Sequence, residues 1–431
     1  MSFGSMGASS LSWSPSPINS TTTTTATAAV SSEWTMRNFS TDFDRPIQFQ
    51  SHEEEQKQDV QPEGGGGGEE EGEEKARYEW DFNLVTVVSS STVGAISDTL
   101  GVIEFDPSDY LLATGGIARK IRVYSFGSLL PHESSHDTQD TTYLDHTRAC
   151  DYYICTPAKL SSLRWKPNTG SRVLGSGDYD GVVTEYDLER RVPIFERDEH
   201  GGRRVWSVDY SHWVPVLGAS GSDDGSVQMW DTRCGGGMCV SAAQPSASRS
   251  SVCCVEFDPN GGSLFAVGCA DRRAYAYDVR KMSAPVLVFH GHRRTVTYVR
   301  FLEESMIVTA GTDGCLKLWD MGDARAIRTY EGHLNSRSFV GLSVWRNGGL
   351  LGCGSESNEV FVYDKRWRDP IWVRGFGSIS HDNGFVSSVC WRQVGENEAT
   401  LLAGGPDGVL QVFVGKRKSP SFGGFAHSPT I

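Results

Sequence analysis

Seven times between Ile96 and Val414 the chain repeats one pattern: an apolar strand, a strand of small residues, an acidic turn, and a third strand ending in an aromatic residue. The closing aromatics are Tyr124, Tyr186, Trp230, Tyr277, Trp319, Tyr363 and Phe413, separated by 62, 44, 47, 42, 44 and 50 residues. A unit of that length has one small sheet and cannot bury its apolar faces alone. Stacking successive units into a closed ring buries them and removes the open sheet edges that invite aggregation.

Steps of ~40 to 45 residues are those of WD40 blades, and the recurring acids agree. Asp187, Asp231, Asp278, Asp320 and Asp364 follow their aromatics directly. Asp180, Asp224, Asp271, Asp313 and Asp407 stand six residues before theirs, with Ala118 and Ser357 as the exceptions. His200, His292 and His333 precede their aromatics by 30, 27 and 30 residues. The fold class expected is all-β, a seven-bladed WD40 β-propeller. Buried polar groups need partners, so each His, turn acid and aromatic should form one hydrogen-bonded set. A His with an Asp also suits hydrolysis, but a catalytic pair would occur once, whereas this pair recurs from blade to blade.

Of 431 residues the repeats occupy about 320, so one ring with a preceding arm accounts for the chain and leaves no length for a second folded domain. Net charge is -14, and residues 1 to 80 hold 14 acidic and 5 basic residues, or -9, leaving -5 for the remainder. That balance argues against direct nucleic-acid binding. The ten cysteines lack metal-ligand spacing and read as thiols of a reducing compartment; neither a metal nor another cofactor is expected. There is no apolar run of 18 residues and no basic-then-apolar leader, which disfavours membrane insertion and secretion and points to nucleus and cytoplasm.

Residues 1–77 are Ser/Thr-rich, then carry a glycine run from Gly64 to Gly68 and an acidic run from Glu69 to Glu74, a composition expected to be disordered and either solubilising or a docking arm. The propeller is placed at 78–415. Within it, Asp81 to Val88 alternates as a strand that belongs to no blade in sequence order, while the last blade lacks its fourth strand; the first should complete the second and close the ring. Residues 416–431 read as a flexible basic tail, in which Lys416, Arg417 and Lys418 are a weak nuclear import signal or simple solvation. Two insertions, Gly127 to Pro157 and Gly235 to Arg249, are expected to be exposed loops.

Whole-blade segments are more specific. Residues 204 to 210 (Arg-Val-Trp-Ser-Val-Asp-Tyr), 252 to 257 (Val-Cys-Cys-Val-Glu-Phe), 339 to 343 (Phe-Val-Gly-Leu-Ser) and 354 to 363 (Gly-Ser-Glu-Ser-Asn-Glu-Val-Phe-Val-Tyr) resemble the propeller of the plant constitutive-photomorphogenesis ubiquitin ligase and its suppressor-of-phytochrome-A partners. The chain has no RING cysteine pattern and no heptad coiled coil before the propeller, so it is not that ligase. A free-standing propeller of this lineage with a short arm resembles the plant repressor of UV-B photomorphogenesis family. The resemblance implies a negative regulator that binds the UV-B photoreceptor, itself a propeller with a flexible tail, promotes its re-dimerisation and displaces the ligase.

In a propeller, loops entering the first strand of a blade and turns joining its second and third strands emerge on one face. Lys159, Tyr179, Arg204, Trp206, Arg294 and Phe339 all occupy such positions, giving an aromatic floor with a basic rim. Aromatics and Arg are the usual anchors of interfaces, and this set suits an extended Val-Pro peptide flanked by acids. The resemblance adds that the ligase's peptide groove has a Lys, a Tyr, an Arg, a Trp, a Lys and a Phe at the matching positions, with Arg294 replacing Lys here. Ser336 stands where the ligase has Glu, which should leave the rim more positive and shift partner preference. The alternative reading makes Trp206 and Phe339 ordinary blade packing.

Residues 218 to 233 resemble the Trp-Asp-x-Arg box by which propellers dock on the adaptor of cullin-4 ubiquitin ligases, with Asp224, Trp230, Asp231 and Arg233 as its carriers. Tyr277 to Arg280 and Tyr363 to Arg366 are partial echoes. Asp224 and Trp230 already belong to the blade pattern, so Arg233 is the informative residue. The sequence carries no phosphate loop and no nucleophile elbow. Cys253 and Ser387 are nucleophile candidates, but both lie in strand patterns where burial is the plainer account, so no enzymatic activity is expected.

Overall fold

The computed structural model describes residues 79–90, 98–131, 141–234, 239–377, 384–395, 398–405 and 407–418. The expected disordered arm, 1–77, lies outside them. Each repeat folds as an antiparallel sheet whose strands a to d run from the channel to the rim. Blade 1 is Leu100–Phe105, Leu111–Gly116, Lys120–Ser125 and Tyr152–Cys155; blade 3 is Val205–Tyr210, Leu217–Ser222, Val227–Asp231 and Cys239–Ala243. Blades 2, 4, 5 and 6 open on Leu160–Trp165, Val252–Phe257, Val296–Glu303 and Leu342–Trp345. Each strand a packs against the next, and that of blade 7, Ser388–Trp391, against that of blade 1, so seven sheets form a ring. The small second strands, such as Leu217–Ser222, let the large aromatics of neighbouring strands and blades seat between sheets: a Cβ on Gly218 would lie 2.4 Å from the Trp230 ring. Trp230, Trp319, Trp345 and Trp391 are wholly buried there.

Closure occurs where the strand pattern placed it. Trp80–Ser89 pairs antiparallel with Leu410–Arg417, Trp80 opposite Arg417 and Val88 opposite Leu410, and supplies the fourth strand of blade 7. The insertion after blade 1 then departs from the expected loop. Residues 132–140 lie outside the described set, but Thr142–Asp145 adds a fifth, parallel strand against Thr86–Ser89, and a helical turn, His146–Ala149, follows. Thr86 donates to the Leu129 carbonyl at 2.6 Å, so this excursion holds the closing strand along its outer edge. The second insertion is corrected likewise: Cys239–Ala243 is the outer strand of blade 3, whose Ser/Ala content read as loop because an outer strand buries little apolar surface. The basic tail also begins later than expected. Lys416 and Arg417 lie in the last strand, Arg417 pairs with Glu79, and Lys418 donates its N–H to the Glu79 carbonyl.

The expected His–Asp–aromatic set is complete in blade 5 alone among the described residues. His292 meets Asp313 (3.0 Å) and Thr309 (2.7 Å), and the Trp319 indole donates to Thr309 (2.8 Å). In blade 3 His200 joins Asp224 and Ser220, while the Trp230 indole N–H has no acceptor and the Arg197 guanidinium lies over its ring. Blades 1 and 6 lack the turn acid, and there a His binds the tyrosine hydroxyl directly: His333 to Tyr363 at 3.0 Å, His146 to Tyr124 at 2.8 Å. His146 comes from the insertion and also reaches the Gly408 carbonyl of blade 7 at 2.6 Å, bridging the seam of the ring.

Candidate functional site

Strand direction sorts the surface into two ends. Turns joining strands b and c, and loops leading into strand a, lie at one end; a–b and c–d turns lie at the other. At the first end Lys159 precedes blade 2 and its carbonyl accepts the Tyr179 N–H at 3.0 Å, fixing the two side by side. The Arg204 guanidinium lies 4.2 Å from the Tyr179 ring centre and 4.5 Å from that of Trp206. Trp206 and Phe339, from blades 3 and 6, stack with centroids 4.5 Å apart and planes 15° from parallel. Arg294 of the loop before blade 5 donates to the Ser336 carbonyl at 3.1 Å. All six expected residues therefore lie at one end, and four of them are in direct ring contact.

Trp206 and Phe339 are half-buried, and Lys159 and Arg294 are exposed. The rings are neither wholly sealed packing nor an open floor. They meet face to face across the mouth of the channel, which leaves their edges and the Tyr179 ring, rather than the space between them, as the apolar surface on offer. Burial pushes the Tyr179 hydroxyl above its usual range despite the pull of Arg204, which keeps it neutral.

Three residues escaped the sequence reading. Tyr298 packs edge-on against Phe339, centroids 5.8 Å apart, at a strand-a position where blades 2, 3, 4 and 7 carry Ser162, Ser207, Cys254 and Ser388 and no other blade has an aromatic; that oversize was the available signal. Asp223 accepts the Trp206 indole N–H at 2.5 Å. Glu356 accepts four hydrogen bonds, from the Ser336 N–H (3.0 Å) and hydroxyl (2.7 Å) and from the N–H groups of Arg337 (3.0 Å) and Ser338 (2.8 Å). Both acids stand seven residues before their blade's closing aromatic, as does Tyr179, a register that places all three at this end. Burial would raise the Glu356 carboxyl, but its donors outweigh that and hold it down at about 2. An ionised carboxylate thus sits against Ser336.

The four residues of the Trp-Asp-x-Arg box do not form one surface. Asp224 is in a b–c turn, tied to His200, and Trp230 is wholly buried. Asp231 and Arg233 lie at the opposite end, where Arg233 forks onto Asp231 with contacts of 2.6 and 3.0 Å. Arg280 forks onto Asp278 in the same way, and the two arginine side chains are 68% and 69% exposed, so the echo in blade 4 equals the box in blade 3. Arg366 also holds Asp364 but is drawn to Glu79. A cavity of about 210 Å³ opens into the channel at this end. Within its lining Arg164 pairs with Glu104 and Asp209.

Neither nucleophile candidate is poised to react. Ser387 is buried and donates to the Leu100 carbonyl, and burial pushes the Cys253 thiol well above its usual range.

Comparison with known proteins gives the same fold and a lineage. A family model described as Nucleolar protein 10-like, N-terminal domain, matches residues 211–364. The chain is similar to the WD repeat-containing proteins RUP2 and RUP1 of Arabidopsis thaliana. It is 62% identical to RUP2 over 75% of this chain and 89% of that protein, and 57% identical to RUP1 over 79% and 86%. It is 37% identical to the E3 ubiquitin-protein ligase COP1 of Arabidopsis thaliana over 72% of this chain and 44% of the ligase. The crystal structure of the WD40 propeller of Doa1 superposes with a TM-score of 0.57 at 19% identity, covering 77% of this chain and 96% of that one.

Proposed function

The chain belongs to the RUP family of WD repeat-containing proteins, and on that premise we propose that it is a non-enzymatic repressor of UV-B signalling acting through the aromatic end of its propeller. There it binds an acidic, extended Val-Pro segment of the UV-B photoreceptor, promotes re-dimerisation of the receptor and displaces the photomorphogenesis ubiquitin ligase. The observation that carries this reading is the Tyr179–Arg204–Trp206–Phe339 cluster with Lys159 and Arg294 beside it. Apolar ring edges receive the valine and proline, and the cations receive the flanking carboxylates. The proposed setting is nucleus and cytoplasm. Titrating the full chain with a fluorescent photoreceptor-tail peptide, beside a peptide with Val-Pro changed to Ala-Ala, tests it; equal affinity for the two would end the reading.

A second reading, docking on the adaptor of a cullin-4 ubiquitin ligase, is favoured by the Arg233–Asp231 and Arg280–Asp278 forks at the other end. One end can hold a client while the other docks.

A further inference from the structure

Stacking of Trp206 on Phe339 needs support from elsewhere, because the two come from blades 3 and 6 and no backbone hydrogen bond joins them. Phe339 lies in a loop, residues 331–341, that has no regular structure. Such a loop holds one conformation only if something satisfies its N–H groups. Glu356 does so for three consecutive residues and for the Ser336 hydroxyl, with four donors on two carboxylate oxygens. The loop's Ser336 carbonyl, left pointing away, takes Arg294. One carboxylate therefore sets an aromatic and a cation of the site together. Across the mouth Asp223, in the same register of blade 3, holds the Trp206 indole and donates its own N–H to the Arg204 carbonyl.

We propose that Glu356 and Asp223 are the positioning residues of the binding end: Glu356 fixes the loop that carries Phe339 and meets Arg294, and Asp223 fixes the Trp206 ring against which Arg204 lies, so that the mouth is pre-organised for an acidic apolar peptide. The proposal rests on the reading of this end as a peptide site. The acids do not touch the peptide; they act through Phe339, Arg294, Trp206 and Arg204. Pre-organised sites bind more tightly because less freedom is lost on association.

The test uses the full chain and two readouts. Glu356→Gln replaces one accepting oxygen by an amide that faces the N–H donors. It should weaken the Val-Pro peptide about tenfold while the melting temperature stays within a few degrees, and amides 336 to 338 should lose their hydrogen-exchange protection. Because the acid acts through the loop, adding Glu356→Gln to Phe339→Ala should weaken binding less than it does in the parent. Asp223→Asn, which keeps an acceptor for the indole, should bind better than Asp223→Ala. Wild-type affinity in Glu356→Gln, or full additivity with Phe339→Ala, overturns the proposal. If the parent protein does not bind the peptide, the functional reading falls by itself; unprotected 336 to 338 amides in the parent then overturn the positioning role, and their protection by Glu356 upholds it.

Discussion

Trp206 and Phe339 lie 133 residues apart in the sequence, yet their rings meet face to face at 4.5 Å, one contributed by blade 3 and the other by blade 6. The contact closes the channel mouth with apolar surface that is only half-buried, and it places the Arg204 guanidinium on the flank of the stack. Partly exposed aromatic surface held in one geometry is poised for recognition, since little ordering remains to be done when a partner arrives.

Trp206→Ala should therefore abolish binding of a Val-Pro peptide while shifting the melting temperature by no more than a few degrees. The stack contributes only about 0.5–1.5 kcal/mol beyond area burial, and the ring is not in a blade core. Peptide titration with calorimetric melting checks both halves. Lys159→Glu or Arg294→Glu should mainly slow association, with the effect largest at low salt.

Ring closure by Trp80–Ser89 predicts a sharp boundary for truncation. Removing residues 1–77 should leave a soluble, cooperatively melting protein. Removing 1–90 should abolish soluble expression, because it bares the edge of Leu410–Arg417 and leaves Thr142–Asp145 without its neighbour. Recovery of folded protein from the longer deletion would refute the closure.

The two equal Asp–Arg forks change what adaptor docking should require. Arg233→Ala alone should reduce recovery of a cullin-4 adaptor in pull-downs only in part, and Arg233→Ala with Arg280→Ala should reduce it further, neither affecting the Val-Pro peptide at the other end. Unchanged recovery with the double variant would remove the docking reading.

His333 gives a pH dependence whose sign is fixed. Burial pulls its pKa down to about 4, against an ordinary value near 6.5. Between those values the unfolded chain binds a proton that the folded one refuses, so stability should fall as pH drops from 6.5 to 4, by at most a few kcal/mol for this group. His333→Phe should flatten that part of the profile, since Tyr363 keeps a second acceptor in the Glu331 carbonyl. Denaturant melts at a series of pH values read the slope. His146, lowered in the same direction by burial, should supply a remaining part of it.

Where Ala118 and Ser357 break the acid pattern, the sequence marks the absence but not its remedy. Tyr124 and Tyr363 carry hydroxyls where blades 3 and 5 have Trp, and in both exceptional blades that hydroxyl takes the His directly. The remedy in blade 6 uses a His at the usual place, whereas that in blade 1 uses His146 from an insertion read as a loop. Local spacing had no means of showing the second, because His146 follows its tyrosine in the chain, whereas His200, His292 and His333 precede their aromatics.

The repeat by itself determined the number of blades, the missing strand and its donor, and the end of the ring on which Lys159, Tyr179, Arg204, Trp206, Arg294 and Phe339 emerge. These follow from local periodicity, because strand alternation and turn position fix which way each residue points. Tertiary structure alone decided that Trp206 and Phe339 touch, that Asp223 and Glu356 hold them, and that Arg233 is matched by Arg280. The first of these is a distance across the ring between blades 3 and 6, set by the packing of whole sheets; the others are contacts within a blade that depend on how its loops and turns fold against each other and not on any segment's own pattern.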